Sequence, residues 1–183
     1  MDRLTALLQI TRGALVEVPP PPPVAERLVP PSGPLDAIIA IVGESAGETE
    51  VEEGRPFCGK SGQLLRKWIR QAGLKPEACY MDNILSFLPP GKALKNVPKA
   101  ALSLEITKLT ERLSRLTAVR VLVPIGNLAL QALLGLEGIT KHRGSVYTTT
   151  VGGRQVACVP CIHPAAVLRG QAQWERRCFL DWQ

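Results

Sequence analysis

Apolar residues along this 183-residue chain follow two rhythms, and the switches between them predict its elements. The run DAIIAIVG (36–43) is continuously apolar, of strand length, and ends at glycine, as a strand buried on both faces would. GKSGQLLRKWIRQAG follows with Leu64, Leu65, Trp68, Ile69 and Ala72 on one helical face and Gly73 as its stop. CYMDNIL (79–85) is a second strand. A long helix begins near Pro98, with Leu102, Ile106, Leu109, Leu113 and Leu116 at helical spacing. VRVLVPIG (119–126) is a third strand, and a short helix runs from Asn127 to Leu134. SVYTTT and RQVACVPCI form a hairpin around Gly152 and Gly153, its second arm buried. A last helical stretch starts after His163, with Pro164 where a missing N–H matters least. Strands alternating with helices imply a three-layer α/β/α domain with a mainly parallel central sheet.

Ahead of this pattern, eight of the sixteen prolines fall between Pro19 and Pro34, which favours an extended segment without a core of its own. Three parts are therefore expected: an N-terminal segment (1–18), a proline-rich linker (19–34) and an α/β domain (35–183). The linker reads as a spacer or as a ligand for a protein partner. Net charge is +6, so the surface field favours a polyanion such as nucleic acid or an anionic membrane. No apolar run approaches the roughly 20 residues of a membrane span. Nor does the N-terminus carry a compact apolar run followed by a small-residue cleavage site. Five cysteines, an odd number, fit a reducing compartment, and the chain reads as cytoplasmic, of cellular or viral origin.

Against the basic background, GESAGETEVEEGRPFCG (43–59) carries Glu44, Glu48, Glu50, Glu52 and Glu53 in a glycine-rich loop. It is not a phosphate loop, because it lacks GxxxxGK[ST] and its acids would repel phosphate. Ligands of open α/β sheets bind beyond the carboxyl ends of the strands. Three polar features are expected there: the 44–57 loop, Asn83 near the end of the second strand, and His163 after the last. CVPC has metal-ligand spacing, but on a strand Cys158 and Cys161 would point to opposite faces. No metal site is expected.

GESAGETEVEEGRPFCGKSGQLL resembles the first motif of the family-four uracil-DNA glycosylases, which begins GEAPG, carries a later Glu and continues into GRPFVG and a leucine pair. YMDNIL followed by LPPG is similar to that family's strand ending in Asn before a PPG turn, and CIHPAAVLRG to its HPAALLR-type second motif. The match runs from about Asp36 to the end of the chain. It implies hydrolysis of the bond between uracil and C1′ of deoxyribose in single- or double-stranded DNA, as in base excision repair, with the nucleotide flipped out of the stack.

By this resemblance Gly43, Phe57 and Asn83 bind uracil: Phe57 offers a stacking face, and the Asn83 carboxamide donates to O4 and accepts from N3–H. His163, neutral at a helix start, donates to O2 as negative charge grows on the leaving base. Glu50 matches the motif's later acid, which implies that it positions a water and stabilises the cationic sugar while Glu44 shapes the pocket and shares the water contacts; the sequence does not rank the two. Leu168 is placed to wedge into the vacated stack, with Arg169, Arg143 and Lys60 on phosphate; core packing for Leu168 and solvated faces for the basic residues remain open alternatives. No lysine in the motifs supplies a Schiff-base nucleophile, so strand cleavage is not expected.

The chain also departs from the family. Members hold a four-iron four-sulfur cluster through an N-terminal CxxC pair and two cysteines after the Asn strand. Here RGALVEVPPPPP, then Ser86, Phe87 and ALSLEI (101–106), stand in those places. The cluster is expected to be absent and no other cofactor is implied. Ala46 replaces the motif's proline. These losses keep two further readings open: a weak or inactive relative that binds DNA in replication, or a glycosylase for another modified base.

Overall fold

The structure, a computed structural model, describes residues 28–170 and 174–182. Five strands, β1 (Ile39–Ser45), β2 (Tyr80–Leu85), β3 (Val121–Pro124), β4 (Tyr147–Val151) and β5 (Arg154–Cys158), form one sheet in the order β2-β1-β3-β5-β4. All neighbours are parallel except β4 and β5, which close as the antiparallel hairpin. The expected three-layer, mainly parallel α/β architecture is thus the observed one.

Side chains that alternate along the strands divide the core in two. Ala40, Val42, Ile84 and Leu122 face α3 (Lys99–Ser114), which delivers Leu109 and Leu113. Ile41, Met81 and Val123 face α2 (Lys60–Gln71), with Leu65, Trp68 and Ile69, and the short helices α6 (Pro164–Leu168) and α7 (Glu175–Leu180), with Val167 and Cys178. Between these, α1 (Glu48–Glu53) follows β1, α4 (Asn127–Leu134) follows β3, and α5 (Ile139–His142) precedes the hairpin. Cys158 lies in the first core and Cys161 in the second, so the CVPC thiols face different layers.

Three differences from the sequence reading have local causes. The acidic stretch is not all loop: Glu48 to Glu53 close into α1, whose first turn carries Glu48 and Glu50 where a helix favours acids. Gly54, at φ 65°, turns the chain out of that helix. The second arm of the hairpin stops at Cys158, before Pro160, which has no N–H to donate to a ladder. The end of the segment read as linker is part of the domain. Val29 is buried and donates its N–H to Ser86 O at 2.6 Å, and Ser32 pairs with Met81. The linker expectation for 19–27, and the N-terminal segment 1–18, lie outside the described residues.

Candidate active site

The carboxyl ends of β1 and β2 and the start of α6 open onto a cleft of about 590 Å³, within the range of small-molecule sites. Glu44, Glu50, Phe57, Asn83, His163 and Arg169 all line it. Five motif residues from three separate stretches of sequence, together with Arg169, therefore share one wall.

Asn83 sits near the end of β2, in register with Gly43 on β1, and is 5% exposed. A Cβ at position 43 would lie 2.3 Å from Asn83 Oδ1 and 2.7 Å from Phe57 Cζ. Gly43 therefore contributes by having no side chain: the space it leaves is where the carboxamide and the aromatic ring meet. Phe57 adopts φ 54°, an unusual conformation for a bulky residue. Two contacts hold it there. Arg66 Nε donates to Phe57 O at 3.0 Å, and Gly62 in α2 admits the Phe57 backbone so closely that a Cβ would stand 2.1 Å from its carbonyl carbon. Arg66 is thus a brace for the loop.

The two acids separate by their partners. Glu50, 9% exposed, accepts the Gly59 N–H on Oε1 at 2.8 Å and so ties α1 to the start of α2. Its other oxygen lies against Gly47, where a Cβ would come within 2.6 Å. Glu44, half-buried at the end of β1, accepts the Leu128 N–H at 3.1 Å, its carboxylate resting on the first turn of α4. Gly126, at φ 93°, makes room, since a Cβ there would be 2.5 Å from Glu44 Oε1.

His163 caps α6, its Nδ1 accepting the Ala165 N–H at 3.2 Å. In the neutral ring the proton then sits on Nε2, which becomes a donor. Burial pulls its pKa below the usual imidazole value, against an upward pull from Glu44; Arg169 adds to the lowering and Glu50 opposes it. Leu168 and Arg169, at the end of α6, are both exposed; Arg169 lines the cleft and Leu168 does not. Lys60 opens α2 and is exposed, but does not line the cleft.

Arg143 is a correction. Expected on phosphate, it pairs with the buried carboxylate of Asp181, Nε to Oδ2 at 3.0 Å, and donates to Arg177 O, joining the end of α5 to α7. Sequence reading also passed over Lys92, which follows the PPG turn, lines the cleft and pairs with Glu48 at 2.7 Å. Its place directly after that turn was the available signal.

In the region after Asn83 where the family carries cluster cysteines, Phe87 and Val97 are buried in the first core, and Leu94, Ala101, Leu102 and Ile106 pack against that core. An iron–sulfur cluster takes thiolates, and these side chains do not fit one. Among the described residues, no group of three or more His, Cys, Asp or Glu is arranged to hold a metal.

At the carboxyl edge of the mainly parallel sheet an amide, an aromatic face, an imidazole and two carboxylates therefore line one cleft, a set of groups suited to stacking on a flipped base and hydrogen-bonding its edge. Residues 30–182 match the model of the uracil DNA glycosylase superfamily, and the chain belongs to that superfamily. It is 31% identical to the type-4 uracil-DNA glycosylase of Thermotoga maritima over 153 residues, covering 81% of this chain and 76% of that enzyme. Identity to the type-4 enzyme of Archaeoglobus fulgidus is 34% over 148 residues, 76% and 71% of the two chains. A DNA polymerase of Bacillus phage SP01 shares 29% over 138 residues, only 14% of its own length.

Proposed function

We propose that this protein is a monofunctional uracil-DNA glycosylase that leaves an abasic site, working without a cofactor. The observation that carries the reading is the convergence of Asn83, Phe57, His163 and Glu44 on one cleft. Each supplies what uracil excision demands.

Flipping the nucleotide out of the stack costs a few kcal/mol, and stacking on Phe57 offsets about 1–3 kcal/mol of it. The Asn83 carboxamide matches the acceptor O4 and donor N3–H of uracil, a pattern that cytosine reverses. As the glycosidic bond breaks, its electron pair leaves with the base. The Nε2–H of His163 donates to the growing negative charge on O2, while Glu44 faces the cationic sugar and orients the water that completes the hydrolysis. Glu50, fastened to Gly59, shapes the pocket and adds to its negative field. A neutral imidazole suits this role, since it donates without a prior charge of its own. The basic surface and Arg169 favour the DNA backbone.

A second reading is favoured by the likeness to a small part of a phage DNA polymerase: the domain as a DNA-binding module working beside replication. Excision from uracil-containing single- and double-stranded oligonucleotides, with alkaline cleavage of abasic sites, separates the two. Product that falls about a hundredfold or more in His163→Ala supports the glycosylase. Salt-sensitive DNA binding with no product at stoichiometric enzyme supports the module.

A further inference from the structure

Among the described residues β2 ends the sheet order, with β1 on one edge and no other of the five strands on the other. Residues 28–34 run antiparallel along that edge. Met81 N–H donates to Ser32 O at 2.7 Å, and Ser32 N–H to Met81 O at 2.9 Å. Backbone groups of a strand alternate sides, so Asn83, two residues on, presents its N–H and C=O to the same edge. Continuing the antiparallel register places Pro30 opposite Asn83. Proline has no N–H to give, and the ladder fails at the residue whose side chain reads the base.

Side chains complete what the ladder leaves open. Asp82 Oδ1 accepts the Asn83 N–H at 2.8 Å, and Arg112 Nη2, from α3, donates to Asn83 O at 3.1 Å. Arg112 also grips Asp82 with Nε to Oδ2 at 2.7 Å and Nη2 to Oδ1 at 3.2 Å, while Tyr80 donates its hydroxyl to Oδ2 at 3.3 Å. Asp82 is 1% exposed, so this is a buried, hydrogen-bonded ion pair rather than a surface contact. Among the described residues, Asn83 forms these bonds through its backbone alone. Its carboxamide therefore has no bond of its own to fix it before a base arrives.

We propose that Arg112 is a positioning residue for uracil recognition: with Asp82 it closes the open edge of β2 at Asn83 and so sets where the free carboxamide meets the base. The inference rests on the reading of Asn83 as the uracil contact. A helix-borne guanidinium suits the task, because its planar fork presents donors in a fixed geometry to a carboxylate and a carbonyl at once, where an ammonium is a compact point charge with freely rotating donors.

The test is a double-mutant cycle on a uracil-containing single-stranded oligonucleotide, with rates referred to the folded fraction. Arg112→Lys is expected to lower kcat about tenfold with KM changed by less than about twofold, and to cause no further loss in an Asn83→Ala background. A loss that persists undiminished in that background, or an unchanged kcat in Arg112→Lys, overturns the proposal. Should Arg112→Lys not fold, Tyr80→Phe removes only the hydroxyl on Asp82. A loss of about two- to threefold that vanishes beside Asn83→Ala then supports the proposal, and an additive or absent loss overturns it. Failure of the wild type to release uracil from any oligonucleotide overturns the functional reading instead, and full activity of Asn83→Ala overturns the role of Asn83.

Discussion

His163 Nδ1 lies 3.2 Å from the backbone nitrogen of Ala165 and accepts its hydrogen, so a single bond at a helix start decides which nitrogen of the imidazole faces the cleft as a donor. Protonating Nδ1 would break that cap, and burial already disfavours the cation.

The pH dependence follows. The folded pKa of His163 lies below its unfolded value near 6.5, so the unfolded chain binds the proton more readily. The stability contributed by the neutral ring is fully present above about pH 6.5 and is lost as pH falls through the folded pKa. Urea unfolding of wild type and His163→Gln at pH 7.5 and at pH 5 should show a wild-type loss on the acid side that the variant lacks. Equal losses in both would remove His163 as its source. Excision should stay level from pH 8 down to about 6.5.

Gly43→Ala should inactivate with little change of fold. The added methyl falls within 2.3 Å of Asn83 Oδ1 and 2.7 Å of Phe57 Cζ, so one or both must move. Displacements of about 1 Å in a catalytic site lower rates by about 10². Far-UV circular dichroism and single-turnover excision measure the two halves of this prediction; full activity would mean that Asn83 and Phe57 need not meet over Gly43.

The two acids should part company under mutation. Glu50→Ala leaves the Gly59 N–H without its buried acceptor, a loss of about 1–3 kcal/mol in unfolding free energy. Glu44→Gln keeps an oxygen for the Leu128 N–H but removes the charge; it should lower excision by about 10 to 100-fold while leaving stability within about 0.5 kcal/mol. Denaturant titration alongside kinetics tells them apart.

Two arginines offer a matching contrast. Arg143→Ala strands Asp181, which is 3% exposed in its side chain, and breaking a buried pair typically destabilises by about 3–5 kcal/mol. Its effect on the salt dependence of DNA binding should be nil. Arg169→Ala should instead leave stability unchanged and lower the salt slope of DNA binding by about one. A reduced slope in Arg143→Ala would contradict the assignment of that side chain to α7.

What could be read from sequence, and what could not, divides along physical lines. DAIIAIVG and the Leu65–Trp68–Ile69 face carried the layers because burial acts on local periodicity. Asn83 and His163 stood out because one lies near the end of a strand and the other at the start of a helix, at the same edge of the sheet. The partners of Glu50, Arg66, Arg112 and Arg143 were hidden for a common reason: a charged side chain on a helix or loop is compatible with many neighbours, and the fold chooses among them. Arg143 finds Asp181 at a separation of 38 residues and Arg112 finds Asp82 at 30, distances over which no periodicity speaks. The short helix α1 was masked by the glycines on either side of it, Gly47 and Gly54, which made the whole stretch read as loop.

The segment along β2 has a further consequence outside the cleft. An uncovered sheet edge is a template on which another molecule's strand can grow, and such growth is the usual first step of aggregation. Here the covering residues themselves expose Pro30, which cannot join a ladder, and Gly33 at φ 102°, which bends the backbone away from an extended course. Among the described residues, this flank therefore offers a colliding copy of the protein no continuing ladder.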